Sequence, residues 1–174
     1  MKRWLLALTA LVLVACSGLQ GSEPPGASSP WREVSSGTSD TLTGVAYGNG
    51  VFVAVGGASG KSTILVSRDG QSWTRVSYDA QSFLNGIAYD NGLFVAVGFD
   101  ETILTSPDGI AWTTRRTGGT RINAVAYGNG QFLAVDDAGG SWSSTDGLSW
   151  SFRSTDTSAQ LRGLIYVAPF FVVT

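Results

Sequence analysis

The chain reads as an all-β protein made of propeller-type blades, each a sheet of four antiparallel strands. Three observations lead there. A segment of about forty residues recurs three times in full and once in part, the period of a repeat architecture. Every full copy contains Asn-Gly and Asp-Gly turns between short apolar runs, which are hairpin signals. Aromatic residues make up 11% of the chain and 23 glycines punctuate it, while only 14% is charged, so the sequence has the content of a packed β-core and not of a disordered one.

The elements follow in order. Lys2 and Arg3 precede a largely apolar run from Trp4 to Ala15, long enough for the centre of a secretory signal and too short to span a bilayer. Leu13-Val14-Ala15-Cys16 closes that run and resembles the bacterial lipobox, in which the Cys is lipidated and becomes the new N-terminus. Cys16 is the single cysteine, so no intrachain disulfide is possible. Residues 1–15 are therefore expected to be a lipoprotein signal peptide. Residues 16–30 form the lipidated Cys16 and a Ser-, Gly- and Pro-rich tether. The expected location is the bacterial cell envelope, lipid-anchored to a membrane, and the outer membrane where the cell has one.

The repeats occupy residues 31–174. The aligned runs start at Leu42, Leu84, Ile122 and Leu161 and place tyrosines at 47, 89, 127 and 166. The blades are expected at about 42–77, 83–116 and 121–155, with a partial fourth at 161–174. In each, a first strand ends at the Tyr. A turn such as Gly48-Asn49-Gly50 follows, and then a run of the V-F-V-A-V type that is apolar on both faces. A strand of that kind has to be covered on both sides, as a blade between two neighbours is. The third strand leads into Ser67-Arg68-Asp69-Gly70-Gln71-Ser72-Trp73, matched by Ser106-x-Asp108-Gly109-x-x-Trp112 and Ser144-x-Asp146-Gly147-x-x-Trp150. The fourth strand is expected to start at the Trp.

This motif has a mechanism. The Asp can accept backbone N–H groups of the turn, the Gly supplies a positive φ, and the Trp packs its ring between sheets. Its repetition favours a structural role, because one active site needs one constellation and not one per blade. The motif resembles a shortened Asp-box, or BNR repeat, with one residue fewer between Asp and Gly than usual. Such repeats occur in the propellers of sialidases, xyloglucan-active glycosidases, sortilin-type receptors and photosystem-assembly lipoproteins. The resemblance covers nearly all of residues 31–174. It implies a propeller whose boxes lie on the blade edge away from the functional face. That face would carry the loops between second and third strands and between blades. On this chain those loops hold Asp100, Glu101, Asp136, Asp137, Arg115, Arg116 and Arg121 as possible ligand-face residues.

The ends do not match a closed ring. A leading segment, Trp31 to Val34, is similar to a fourth strand, and the last copy stops at Thr174, one position short of the match to Gly98. We expect a truncated or incomplete propeller. A small four-bladed ring and an open arc that self-associates through its exposed blade edges are the alternatives.

Function is bounded by what is missing. The chain has no histidine, which removes a His-based triad, a His general base and the commonest metal ligand. Without Lys2 and Arg3 the net charge is 9 − 13 = −4, not the basic stripe of a nucleic-acid binder. A sialidase-type set of three arginines, a tyrosine with a glutamate partner and an acid cannot be assembled, since the tyrosines fall on repeat positions and the glutamates are Glu23, Glu33 and Glu101. Asp136 and Asp137 are adjacent and make no metal site. The expectation is a non-catalytic module binding a protein or glycan, with no catalytic residues, no metal and no cofactor. A sialidase-like glycoside hydrolase is the alternative enzyme reading, and a fragment without independent activity is the third.

Overall fold

The computed structural model describes residues 32–78 and 81–174. The signal run, Cys16, the tether and Trp31 lie outside the described residues. These contain fourteen strands. The first blade is β1 (Thr41–Gly48), β2 (Val51–Ala58), β3 (Lys61–Ser67) and β4 (Thr74–Arg75). The second is β5 (Leu84–Asp90), β6 (Leu93–Gly98), β7 (Ile103–Ser106) and β8 (Thr113–Arg116). The third is β9 (Ile122–Gly128), β10 (Gln131–Asp136), β11 (Gly140–Ser144) and β12 (Ser151–Ser154). A strand pair, β13 (Leu164–Val167) and β14 (Phe170–Val173), follows. Each full blade is a meander in sequence order, and all pairings are antiparallel. The first strands of consecutive blades pack side by side, β1 on β5, β5 on β9 and β9 on β13, so the blades fan out from their first strands.

Local chemistry sets the turns. Asn49, Asn91 and Asn129 sit at φ of 49°, 50° and 49°, and the following glycines at 76°, 75° and 77°. Two successive positive φ values match the right-handed twist of the flanking strands, which is why Asn-Gly closes these hairpins. The fourth strands begin one residue later than expected, at Thr74, Thr113 and Ser151. Trp73, Trp112 and Trp150 are still part of the turn, because each indole N–H donates back to the carbonyl of its own turn glycine, at 3.3, 2.9 and 3.0 Å.

The core lies between the blades and not within them. On β6, Phe94 and Ala96 cluster with Val53, Val55 and Ile64 of the first blade, while Val95 and Val97 cluster with Phe132, Ala134 and Ile122 of the third. Phe94, Val95, Ala96 and Val97 are all fully buried. Strand alternation sends successive side chains to opposite faces, so one apolar run serves two neighbours.

A Tyr–Phe pair recurs directly opposite across the first hairpin of every copy. The ring centroids are 4.6, 4.5, 4.8 and 5.0 Å apart for Tyr47–Phe52, Tyr89–Phe94, Tyr127–Phe132 and Tyr166–Phe171. The tyrosine then leans on the blade before it. A Cβ on Gly48 would stand 2.1 Å from the Tyr89 ring, and one on Gly128 would stand 2.1 Å from the Tyr166 ring. These two glycines are needed for close approach and not for a turn.

Gly48→Ala is expected to destabilise the fold by about 1–3 kcal/mol, the usual cost of overpacking, read from urea unfolding. Tyr89→Ala in the same chain should remove most of that added cost, leaving a coupling energy between the two sites.

Candidate functional site

The meander puts two kinds of connection on opposite edges of each blade. The Asn-Gly turns and the Ser-Asp-Gly-Trp turns share one edge, here the turn edge. The β2–β3 type loops and the crossings between blades share the other, the loop edge.

On the turn edge the three copies are built alike. Ser67, Ser106 and Ser144 each accept the N–H of Gly70, Gly109 and Gly147 and donate to Asp69, Asp108 and Asp146. One oxygen of each Asp accepts two further N–H groups at 2.8–2.9 Å: Gln71 and Ser72, Ile110 and Ala111, Leu148 and Ser149. Hydrogen bonds to the ionised form favour it. The N–H groups of Ser72 and Gln71, then the Ser67 hydroxyl, hold the Asp69 carboxyl at about 2, below its ordinary 3.8. Ala111 and Ile110 lower Asp108, and Ser149 and Leu148 lower Asp146, in the same way. The glycines have φ of 70°, 76° and 71°. Two of them also abut the preceding blade: a Cβ on Gly109 would meet Val53 at 2.6 Å, and one on Gly147 would meet Leu93 at 2.5 Å. An open groove of about 490 Å³ runs between the turns of the first two blades, lined by Arg68, Asp69, Asp108 and Ile110 among others. It lies on the turn edge and not among the loops.

On the loop edge the charged residues spread over three local arrangements. Glu101 is buried, and its carboxylate takes the Nε–H of Arg116 at 2.7 Å and a second guanidinium N–H. The Arg116 guanidinium lies 4.1 Å from the Trp142 ring centroid. Asp100 and Glu101 form a turn with φ of 54° and 52°, tied to the next crossing by Gly118 N–H to Asp100 O and Glu101 N–H to Thr120 O, both 2.7 Å. Arg115 stands at a register shift of the β7–β8 pair and donates to Thr105 at 2.8 Å. Arg121 lies 4.4 Å from the Phe99 ring centroid and donates to Asn85 at 3.3 Å.

Asp136 and Asp137 diverge. Asp136 is buried and accepts the N–H groups of Ala138 and Gly140 at 2.9 and 2.7 Å, with the Thr120 hydroxyl on its other oxygen. Asp137 takes the Asn123 amide at 2.6 Å. Among the described residues no three acidic or cysteine side chains gather as they would around a metal ion.

One set of polar residues carries more than the sequence suggested. Thr43, Asn85 and Asn123 are the bulged residues of the three first strands, where the register skips from Leu42 to Gly44, from Leu84 to Gly86 and past Asn123. A bulge re-aims a side chain. Each reaches the next blade and donates to the carbonyl of its first aligned residue: Thr43 to Leu84 at 2.8 Å, Asn85 to Ile122 at 2.7 Å, Asn123 to Leu161 at 2.7 Å. The readable signal was a small polar residue at one fixed place in the repeat, just after the Leu or Ile.

No protein-family model and no curated protein matches the chain. Solved structures do. The chain is similar to YCF48 bound to D1 peptide at 18% identity and a TM-score of 0.59, over 72% of this chain and 43% of that one. It is similar to the computationally designed Ika4 protein at 17% and 0.60, over 78% of this chain and 86% of that one. The WD40 β-propeller domain of Doa1 matches at 18% and 0.58, over 77% and 48%. The chain thus spans less than half the length of YCF48 and of the Doa1 domain. The fold is a β-propeller arc of three full blades and part of a fourth.

Two outcomes follow. Ser106→Ala leaves the buried Gly109 N–H without its acceptor, and is expected to cost about 1–3 kcal/mol in urea unfolding. The pH dependence has a fixed sign. The turn carboxyls are depressed in the fold, so their contribution is complete above an unfolded value near 3.8 and is lost as pH falls below it, for Asp69 toward about 2. Stability should drop across that window, and the triple variant Asp69→Asn, Asp108→Asn, Asp146→Asn should be less stable at neutral pH and show a flatter slope there.

Proposed function

We propose that this chain is an exported lipoprotein whose propeller blades act as a non-catalytic binding or scaffolding module, held at a membrane surface by a lipid on Cys16. The observation that carries this reading is the state of the loop edge. Arg116 pairs with Glu101, Arg115 meets the Thr105 hydroxyl, Asp136 takes N–H groups of its own turn and Asp137 the Asn123 amide. Arg121 meets the Asn85 amide oxygen and leaves its buried Nε without a partner. These residues spread over three loops instead of converging on one point. Catalysis by a general acid and base would need groups aimed at a shared reacting centre.

The Ser-Asp-Gly-Trp turns are read as Asp-boxes. Their carboxylates are occupied by their own turns in all three copies, which supports structural service and not acid catalysis. The ligand class is a protein segment or a glycan, met across the loop edge. The peptide bound to the similarly folded YCF48 favours the protein segment. The lipobox-like Leu13-Val14-Ala15-Cys16, the basic residues before it and the tether after it support the anchor.

Labelling cells with a radioactive fatty acid is expected to mark the wild-type protein and not Cys16→Ser; an unlabelled wild type refutes the anchor. Sialosides and β-glucans are expected to remain intact in hydrolysis assays, whereas a turnover that Arg115→Ala abolishes would establish the enzyme reading. Screening the immobilised chain against a peptide library and a glycan array should yield retained ligands. Retention of neither class overturns the binding reading.

A further inference from the structure

We infer that the outer rim between the second and third blades is a docking site for an extended peptide, which lies along β12 and sets a tyrosine ring on Phe152. The site goes beyond the binding reading above, which looks to the loop edge, and it stands or falls separately. It lies between two complete blades.

The outer strands can be compared by register. Leu65, Leu104 and Trp142 lie opposite Ala54, Ala96 and Ala134, and Arg75, Thr114 and Phe152 stand next to them on the outer strands. Cross-strand partners share a face. Leu104 and Trp142 each belong to the apolar cluster shared with the preceding blade, so Thr114 and Phe152 look toward that blade too. At the first junction the chain covers this place itself. Tyr78, just past β4, packs against the cluster that contains Leu104, and its hydroxyl meets the Thr114 hydroxyl at 2.6 Å. At the second junction the segment after β8 turns aside, with the Gly118 N–H and the Thr117 hydroxyl both going to the Asp100 carbonyl. What reaches the third blade is Arg116, 4.1 Å from the Trp142 ring centroid. Phe152 is left 55% exposed.

The exposed ring sits on a built shelf. Its centroid is 4.8 Å from that of Trp142, and a Cβ on Gly140 would stand 2.5 Å from it. Trp142 is 6% exposed, and its indole N–H has no acceptor among the described residues. A buried indole N–H ordinarily finds one. Arg116 is already matched by Glu101, so a neutral ring suits this shelf better than an anion. Tyrosine is the ring that the chain itself sets against phenylalanine. Four cross-strand Tyr–Phe pairs have centroids 4.5–5.0 Å apart, and such tilted pairs gain beyond the area they bury.

The backbone beside Phe152 is also open to pairing. A peptide can add itself as a strand to a free sheet edge, and proteins blunt such edges with short strands, bulges and charge. Of the three outer strands, β4 has two residues, and β8 carries a register shift together with Arg115 and Arg116. β12 runs in regular register over its four residues and ends its sheet. Side chains of an added strand alternate between the faces, so every second residue of the peptide would share the face of Phe152.

The test titrates the full chain, in a mild detergent, with the peptide acetyl-Thr-Val-Tyr-Val-Thr-amide and follows the indole N–H resonances by NMR. The Trp142 resonance is assigned by its loss in Trp142→Phe. The tyrosine peptide is expected to shift it, and a peptide with alanine in place of tyrosine should bind at least tenfold more weakly. Phe152→Thr gives the third blade the residue of the second and is expected to weaken binding at least tenfold with an unchanged circular dichroism spectrum. Phe152→Tyr should retain it. Of two peptides N-methylated at alternate residues, one should lose binding and the other keep it. A Trp142 resonance unmoved by millimolar tyrosine peptide, an alanine peptide of equal affinity, or undiminished binding to Phe152→Thr would each overturn the inference. Cellohexaose moving the resonance in the peptide's place would overturn it too, and make the shelf a glycan site. A ligand that binds the loop edge and leaves Trp142 unmoved supports the loop-edge reading and counts against this one.

Discussion

A sheet that is apolar on both faces cannot stand alone in water, and that constraint organises the whole chain. The strand from Leu93 to Gly98 has four consecutive residues fully buried, which no single-sided sheet achieves. Its alternating side chains supply one half of two separate cores. The blades therefore do not have cores of their own. Stability belongs to the junctions, and a blade with one neighbour is only half stabilised. The glycines at 48, 109, 128 and 147 belong to the same constraint, since each lets a side chain of the adjoining blade come closer than a Cβ would allow.

Polar groups are fitted around that packing. The backbone of each sharp turn on one edge is saturated by a Ser and an Asp in concert, which lets a tight turn sit against the preceding blade with its N–H groups satisfied. On the other edge the same economy recruits charged residues. Glu101 could not be buried without Arg116, and Asp136 is tolerable in the interior because two N–H groups of its own turn meet it. Charge at these positions serves the architecture, which is why a list of ionisable loop residues is a weak guide to chemistry here.

Much of the fold was legible because its determinants are periodic. Asn-Gly turns, the doubly apolar strand and the Ser-Asp-Gly-Trp turn each occupy a fixed place in the repeat, and three copies average out accident. The first strands of the three full copies start within a residue of the expected Leu or Ile, whereas in the last copy β13 starts at Leu164, three residues past Leu161; the Trp was misplaced because its indole bonds backward to the turn, which the backbone pattern does not reveal. The loop edge was much less readable. Asp136 and Asp137 stood out for breaking the repeat, but sequence could not say that one would fold into its own turn and the other receive an amide from Asn123. The bulged residues Thr43, Asn85 and Asn123 passed unnoticed, since their partner is a backbone carbonyl one blade away and carbonyls leave no trace in a sequence.

That last feature bears on how such chains change over generations. The bulge donor grips a carbonyl, a group that every residue possesses. At two of the three junctions the tyrosine leans on a glycine, a residue with no side chain to dispute the space. Recognition between blades is thus addressed to the peptide chain itself, and a blade does not need to know which blade follows it. A duplicated or deleted copy in the gene presents its neighbours with the same carbonyl and the same kind of face. Units joined by so generic a handshake can be added, lost or shuffled with little retuning, and the number of blades becomes one of the easier properties of the protein for evolution to alter.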